Sequence, residues 1–306
     1  MVNEQMRQNW TQGAAGWVEN EQIFDFTYQP VTSAVVAAAA LAPGQRVLDI
    51  GCGTGTLLLA AIDVGAVPVG VDISPVMVAA ASARVPDATV GIADAQTDDL
   101  LAIAPGPTFD RVVSRYGVMF FDDPTAAFTN IRSACTPGAR LSFACWRDVS
   151  ENPTFTLGTT TLLDLMTDPP PTPGPRAPGP MAFAEPSYVH EFLGAAGWSD
   201  VDVAPLDFDC FYSEDGDGVE ERLTIVLGLA SGRVAAAQLR PRLGEEGWAA
   251  LLDDLRAELR THVVDGKACA SGRVLAGHRS GMTVGYDAPT PLSTEPRSPM
   301  AGPSAG

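Results

Sequence analysis

A strand that runs without a break into a glycine-studded turn and then into a helix constrains this chain more than any other feature. Val47-Leu48-Asp49-Ile50 is a short, largely aliphatic run, Gly51-Cys52-Gly53-Thr54-Gly55 places glycines at alternate positions, and Leu57-Leu58-Leu59-Ala60 opens a helical stretch. Such glycines let the backbone turn sharply and let a ligand reach the amides with no Cβ in the way. A nicotinamide-dinucleotide fingerprint would want its third glycine where Thr56 stands, and a triphosphate-binding loop would be followed by a lysine that is absent here. The loop alone still allows a second reading, a tight turn between strand and helix.

The surroundings of the loop set the fold class. From Gln45 to Trp146, short aliphatic runs alternate with longer helical ones, the pattern of crossover units around a parallel sheet covered on both faces. Strands are predicted at Arg46–Ile50, Pro68–Asp72, Ala88–Ile92, Arg111–Ser114 and Arg140–Ala144. Helices are predicted at Thr56–Val64, Pro75–Ala83 and Pro124–Ala134, with a turn near Asp98–Ile103. The predicted architecture is α/β, with a doubly wound, mostly parallel sheet.

Four regions follow from composition: an N-terminal helical cap over 1–44, the α/β core over 45–150, a lid that also completes the sheet over 151–286, and a proline-rich, disordered tail over 287–306. Within the lid, helices are expected at Pro153–Met166, Ser187–Ala195, Gly218–Leu229 and Glu245–Val263, and a strand-like run at Ser199–Phe211. Asp168–Pro180 is too rich in proline and glycine for either. A closing strand is hard to find after Val264: Arg273–Ala276, Met282–Tyr286 and a remodelled sheet edge all remain open.

Charge narrows the partners. With 37 acidic against 19 basic residues, the formal charge of −18 repels phosphate backbones and anionic lipid, so neither nucleic acid nor a membrane surface is expected as partner. The longest apolar stretch, Val31–Leu41, is too short to span a bilayer, and no basic-then-apolar leader precedes Trp10, so a cytoplasmic location is expected. The five cysteines are scattered and predict no metal site. Oligomeric state is open.

Two further carboxylates stand where the predicted strands end. Asp72, in Val69-Gly70-Val71-Asp72-Ile73-Ser74, lies 17 residues beyond Gly55 and could accept two hydrogen bonds from a ribose diol, or simply cap the helix that opens at Pro75. Asp94, in Gly91-Ile92-Ala93-Asp94-Ala95, ends the next strand or marks a surface turn. Carboxylates at three successive strand ends favour one shared site.

The strand and loop from Val47 to Gly55 resemble the first motif of the class I S-adenosylmethionine-dependent methyltransferases. The resemblance runs over residues 10 to 150 and more loosely to about 265. Ser114-Arg115-Tyr116-Gly117, leaving the fourth strand, is similar to the quinone-methylase-like (methyltransferase type 11) small-molecule branch. The resemblance implies a seven-stranded, Rossmann-like sheet, with S-adenosylmethionine as cofactor and S-adenosylhomocysteine as product. It places the methionine end on Asp49 and the loop Gly51, Cys52, Gly53 and Gly55, the ribose on Asp72 and the adenine on Asp94, with Ile73 and Ala95 as further cofactor-binding residues. Arg115 faces the cofactor or the substrate, or else forms a surface ion pair.

Methyl transfer from a sulfonium asks the protein mainly to align nucleophile, methyl and sulfur out of water. A phenol or alcohol acceptor would gain from a general base, and His190 is the candidate, with an exposed helix histidine as the alternative. Trp17, Tyr28, Tyr116, Trp146 and Phe183 are the candidate walls of a pocket for a planar small molecule, although core packing would explain any one of them. O-methylation leads, quinone C-methylation is the near alternative, and a non-methylating cyclase or regulatory binder stands further off. The alanine, glycine and proline usage suits a GC-rich bacterial source.

Overall fold

A computed structural model describes residues 3–171 and 173–268, and the backbone of 281–287. Its centre is a seven-stranded sheet in the order β3-β2-β1-β4-β5-β7-β6. The strands are β1 (Arg46–Ile50), β2 (Val67–Asp72), β3 (Thr89–Ile92), β4 (Phe109–Arg115), β5 (Cys135–Cys145), β6 (Asp202–Leu206) and β7 (Gly281–Asp287). The first five pair in parallel, with Leu48 of β1 opposite Val69 on one side and Val112 on the other. Central strands in such a sheet are covered on both faces, and Val47, Leu48, Val112 and Val113 are accordingly buried. β7 runs antiparallel between β5 and β6, so of the options left open for the closing strand, the one at Met282–Tyr286 is used.

The helices begin where local chemistry allows. Ser74 and Asp123 cap α5 (Pro75–Arg84) and α7 (Pro124–Ser133) by accepting from the amides of Met77 and Ala126, and each helix has proline in its first turn. α4 (Thr56–Asp63) follows the glycine loop, and α6 (Leu100–Ile103) is a single turn capped by Asp99. Ahead of the sheet lie α1 (Glu4–Glu19), α2 (Glu21–Thr27) and α3 (Gln29–Ala39). α3 packs on β4 and β5, and α1 touches α5 and α10 (Val219–Gly228).

The region after β5 departs from expectation in three places. The predicted helix Pro153–Met166 is broken: a 3₁₀ turn at Pro153–Phe155 is followed by α8 (Thr159–Asp164), because Gly158 takes a φ of 73° between them. The strand-like run 199–211 contributes only β6. Most of Ala230–Leu243, given no element from sequence, is helical and merges with the predicted C-terminal helix into α11 (Ala230–Arg260), kinked at Gly244. α9 (Pro186–Ala195) forms as read. The predicted disordered tail, apart from Asp287, lies outside the described residues.

The strand order positions the site. From β1 the chain goes to β2 and β3, then returns across β1 to β4, so connections leave the carboxyl ends of β1 and β4 in opposite directions and a crevice opens there. The N-terminal helices and α10 wall that crevice.

Candidate functional site

The crevice is built on two backbones in contact. Ser114 Oγ donates to the Ile50 carbonyl at 2.7 Å and accepts from Gly117 N at 3.2 Å, clamping the exit of β4 to the end of β1. A Cβ added to Gly51, at φ 64°, would stand 2.7 Å from Gly117 Cα, so only glycine fits there. Gly53, at φ 54°, has open space on its Cβ side instead and lines the pocket.

Asp72 ties the loop to β2. Its carboxylate accepts from Gly53 N at 3.0 Å and Ser74 N at 2.8 Å. Its removal from water pushes its pKa up to about 6, with the amide hydrogen bonds opposing the rise. The Cys52 thiol beside it is likewise raised by burial, next to the charges of Asp49 and Asp72, and stays protonated.

Asp49 is the anomaly of the site. It is 2% exposed, yet neither carboxylate oxygen has a hydrogen-bond partner among the described residues. Burial raises its pKa to about 8, with Arg115 pulling it down and Asp72 pushing it up. A buried acceptor left unsatisfied is costly, and this one lines the pocket, where a ligand's cationic or N–H group would satisfy it.

The other two anchors are already engaged by side chains from the N-terminal helices. Asn3 Nδ2 donates to both oxygens of Asp94, at 3.0 and 2.9 Å. Arg115 donates to Thr32 Oγ1 at 2.8 Å and Thr56 Oγ1 at 3.3 Å, and its guanidinium stands 3.5 Å from Asp25. Asp25 also pairs with Arg84 of α5 and accepts from Thr56, so α2 is clasped to the first turn of α4. Arg115 thus forms a largely buried ion pair and also lines the pocket.

One continuous pocket collects most of the predicted residues. Asp49, Gly51, Cys52, Gly53, Asp72, Ile73, Asp94, Ala95 and Arg115 line one part. Trp17, Tyr28, Tyr116 and Trp146 line the aromatic remainder, where Trp146 stacks on Tyr116 at 4.2 Å. Burial holds both tyrosine hydroxyls well above their ordinary pKa, so they stay neutral.

Three predicted residues are elsewhere. Gly55 makes the turn, but its Cβ side faces Val85 Cγ2 at 2.9 Å, away from the pocket lining. Phe183 is fully buried in a ring cluster with Phe128, Phe143 and Phe192, its nearest ring centroid 4.6 Å away, and is core rather than pocket wall. His190 is exposed, because α9 buries its Val189, Phe192 and Leu193 face, and it does not line the pocket. Sequence reasoning missed Asn3, Asp25, Thr154 and Arg222, all of which line the pocket. No local signal marks any of them.

Comparison with known proteins agrees with this geometry. Residues 47–138 match the family model described as Methyltransferase domain. A protein of Mycobacterium tuberculosis with no assigned activity is 31% identical over 117 residues, 38% of this chain and 43% of its own. The ubiquinone biosynthesis O-methyltransferase of Xanthomonas campestris pv. campestris is 34% identical over 114 residues, 37% of this chain and 47% of its own. These matches span less than half the length of those curated relatives. The solved structure of YcgJ from Bacillus subtilis has a TM-score of 0.51 at 16% identity, covering 85% of this chain and 98% of its own, a likeness of fold. Residues 47–138 of the α/β core are therefore similar to a methyltransferase domain, and the sheet that carries them shares its fold with that solved structure.

Proposed function

We propose that this chain is an S-adenosylmethionine-dependent methyltransferase that methylates a small organic acceptor, with oxygen as the favoured atom. One observation carries the reading: Asp49 offers a buried carboxylate with no partner among the described residues, beside a loop that Gly53 leaves open. An ammonium group would satisfy it, and the methionine end of the cofactor carries one. Asp72, already oriented by two backbone amides, has acceptor capacity left for a ribose diol, and Asp94, lining the same pocket, would take an adenine amine in exchange for Asn3.

When bound, the cofactor supplies a methyl group on a positively charged sulfur, ready for in-line displacement. The chain's own residues hold and orient. Arg115 and Thr56 fix the mouth of the glycine loop, while Trp17, Trp146 and Tyr116 keep water from the acceptor. Neutral tyrosine hydroxyls in such a pocket donate hydrogen bonds rather than remove protons. The similarity to an O-methyltransferase of quinone biosynthesis supports oxygen as the acceptor atom. A small diffusible substrate suits a chain in which no described helix is long and apolar enough to cross a membrane.

The test is label transfer. The protein is incubated with cofactor labelled in its methyl group and a panel of hydroxylated aromatic acids, naphthols and hydroxyquinones, and both S-adenosylhomocysteine and labelled product are measured. Formation of both in step with one acceptor supports the reading. Tight cofactor binding with no demethylated product across the panel would favour the non-methylating binder instead.

A further inference from the structure

The wall of the pocket formed by α10 carries a charge that the cofactor anchors do not use. Arg222 is 3% exposed and lines the pocket. Its Nη2 donates to the carbonyls of Thr154 and Leu157, at 2.7 and 2.6 Å, and its guanidinium lies 5.2 Å from the ring centroid of Tyr212. Its Nε is buried and donates to no group among the described residues. Among the described residues, Arg222 enters none of the ion pairs found. A guanidinium withdrawn from water among carbonyls and a ring face, with no carboxylate paired to it among the described residues, is poorly compensated.

The walls beside it are flat and aromatic. Tyr116 and Trp146 lie parallel at 4.2 Å, and Tyr28 and Phe155 meet Trp146 edge-on at 5.6 and 5.0 Å. The Tyr116 hydroxyl is buried without a partner, and its backbone sits at φ 65°, a conformation rare for a residue with a bulky side chain. Burial keeps Tyr28 and Tyr116 neutral, so this part of the pocket holds donors and a cation. Aromatic faces with an uncompensated guanidinium recognise a planar molecule bearing an anionic oxygen.

We propose that Arg222 is a substrate-binding residue and that the acceptor is a planar, unsaturated molecule carrying a carboxylate or an ionised enol or phenol, whose anionic oxygen pairs with the guanidinium. Calling the ligand a methyl acceptor rests on the methyltransferase reading; the preference for an anion does not. The charge also selects against neutral isoprenoid-like molecules, which would leave it buried and unanswered.

The probe pair is naphthoate and its neutral amide, naphthamide, titrated by quenching of tryptophan fluorescence, since Trp146 and Trp17 line the pocket. Titrations are run on the ligand-free protein and on protein saturated with S-adenosylhomocysteine. Naphthoate is expected to bind at least about tenfold more tightly than naphthamide, with the preference abolished by Arg222→Gln and retained by Arg222→Lys. Equal binding of the two probes, no binding of either, or a preference untouched by Arg222→Gln overturns the proposal. The wild-type comparison decides even if the glutamine variant fails to fold. Failure of S-adenosylhomocysteine to bind would instead strike the cofactor reading, leaving the anion preference to be judged on the ligand-free protein.

Discussion

The side-chain amide of Asn3, at the start of the described chain, lies across the carboxylate of Asp94 at the end of β3, 3.0 Å from one oxygen and 2.9 Å from the other. The contact is held from both sides. Asn3 N donates to Asp122 Oδ2 at 3.3 Å, Asp122 N donates to Asn3 Oδ1 at 3.2 Å, and Asn3 itself sits at φ 59°. An NH₂ group on this carboxylate makes the same pairing as an adenine amine would, so the two compete. Asn3→Ala should therefore tighten S-adenosylmethionine binding by about 3- to 10-fold, the gain from removing a competing hydrogen-bonded state. Titration calorimetry measures it directly, and a weakened affinity would mean that Asn3 belongs to the bound site.

Asp49 predicts a pH dependence of stability. Its pKa is about 8 in the folded protein against 3.8 ordinarily, so between those values the folded state holds a proton that the unfolded state has lost. Stability therefore falls as pH rises through this window. Asp49→Asn should remove that slope and be more stable than wild type above it, by about 1–3 kcal/mol in urea titrations, while losing at least about tenfold in cofactor affinity. An unchanged pH profile would show that the carboxylate is ionised throughout.

The same residue predicts a proton released on binding. If a ligand ammonium pairs with Asp49, its carboxyl must ionise, so cofactor binding near about pH 7 should release up to about one proton and strengthen toward alkaline pH. Calorimetry in two buffers of different ionisation enthalpy reads the proton count. Zero release would place the ammonium elsewhere.

The glycine loop separates a structural role from a binding one. Gly51→Ala forces a Cβ to within 2.7 Å of Gly117 Cα and should cost about 2–4 kcal/mol of folding stability. Gly53→Ala meets no atom within 4 Å, so it should cost only about 1 kcal/mol and act instead on cofactor affinity. Chemical denaturation of the pair decides; equal losses would mean that the backbone contact at Gly117 relaxes freely.

What could be read from sequence follows from how local each signal is. Asp49, Asp72 and Asp94 each sit at the end of a short aliphatic run, so their place at the carboxyl edge of the sheet needed only the strand pattern and the glycine loop. Asn3 and Arg222 reach the same pocket across 91 and 68 residues, to Asp94 and Thr154, and nothing beside them in the chain hints at that. Phe183 shows the converse error. An aromatic near a loop suggested a wall, but its rings of contact, Phe128 and Phe143, come from α7 and β5 and make it core. Ala230–Leu243 carries Gly232 and Pro241, poor helix formers, yet it is helical, with Ala235 and Leu239 buried by tertiary packing.

The central claim is that the crevice over Asp49 and Asp72 binds S-adenosylmethionine. Calorimetric titration of the purified protein with S-adenosylmethionine and, separately, with NAD tests it without knowledge of the acceptor. Saturable one-to-one binding of the first and none of the second is the predicted result; binding of NAD alone, or of neither, would contradict it.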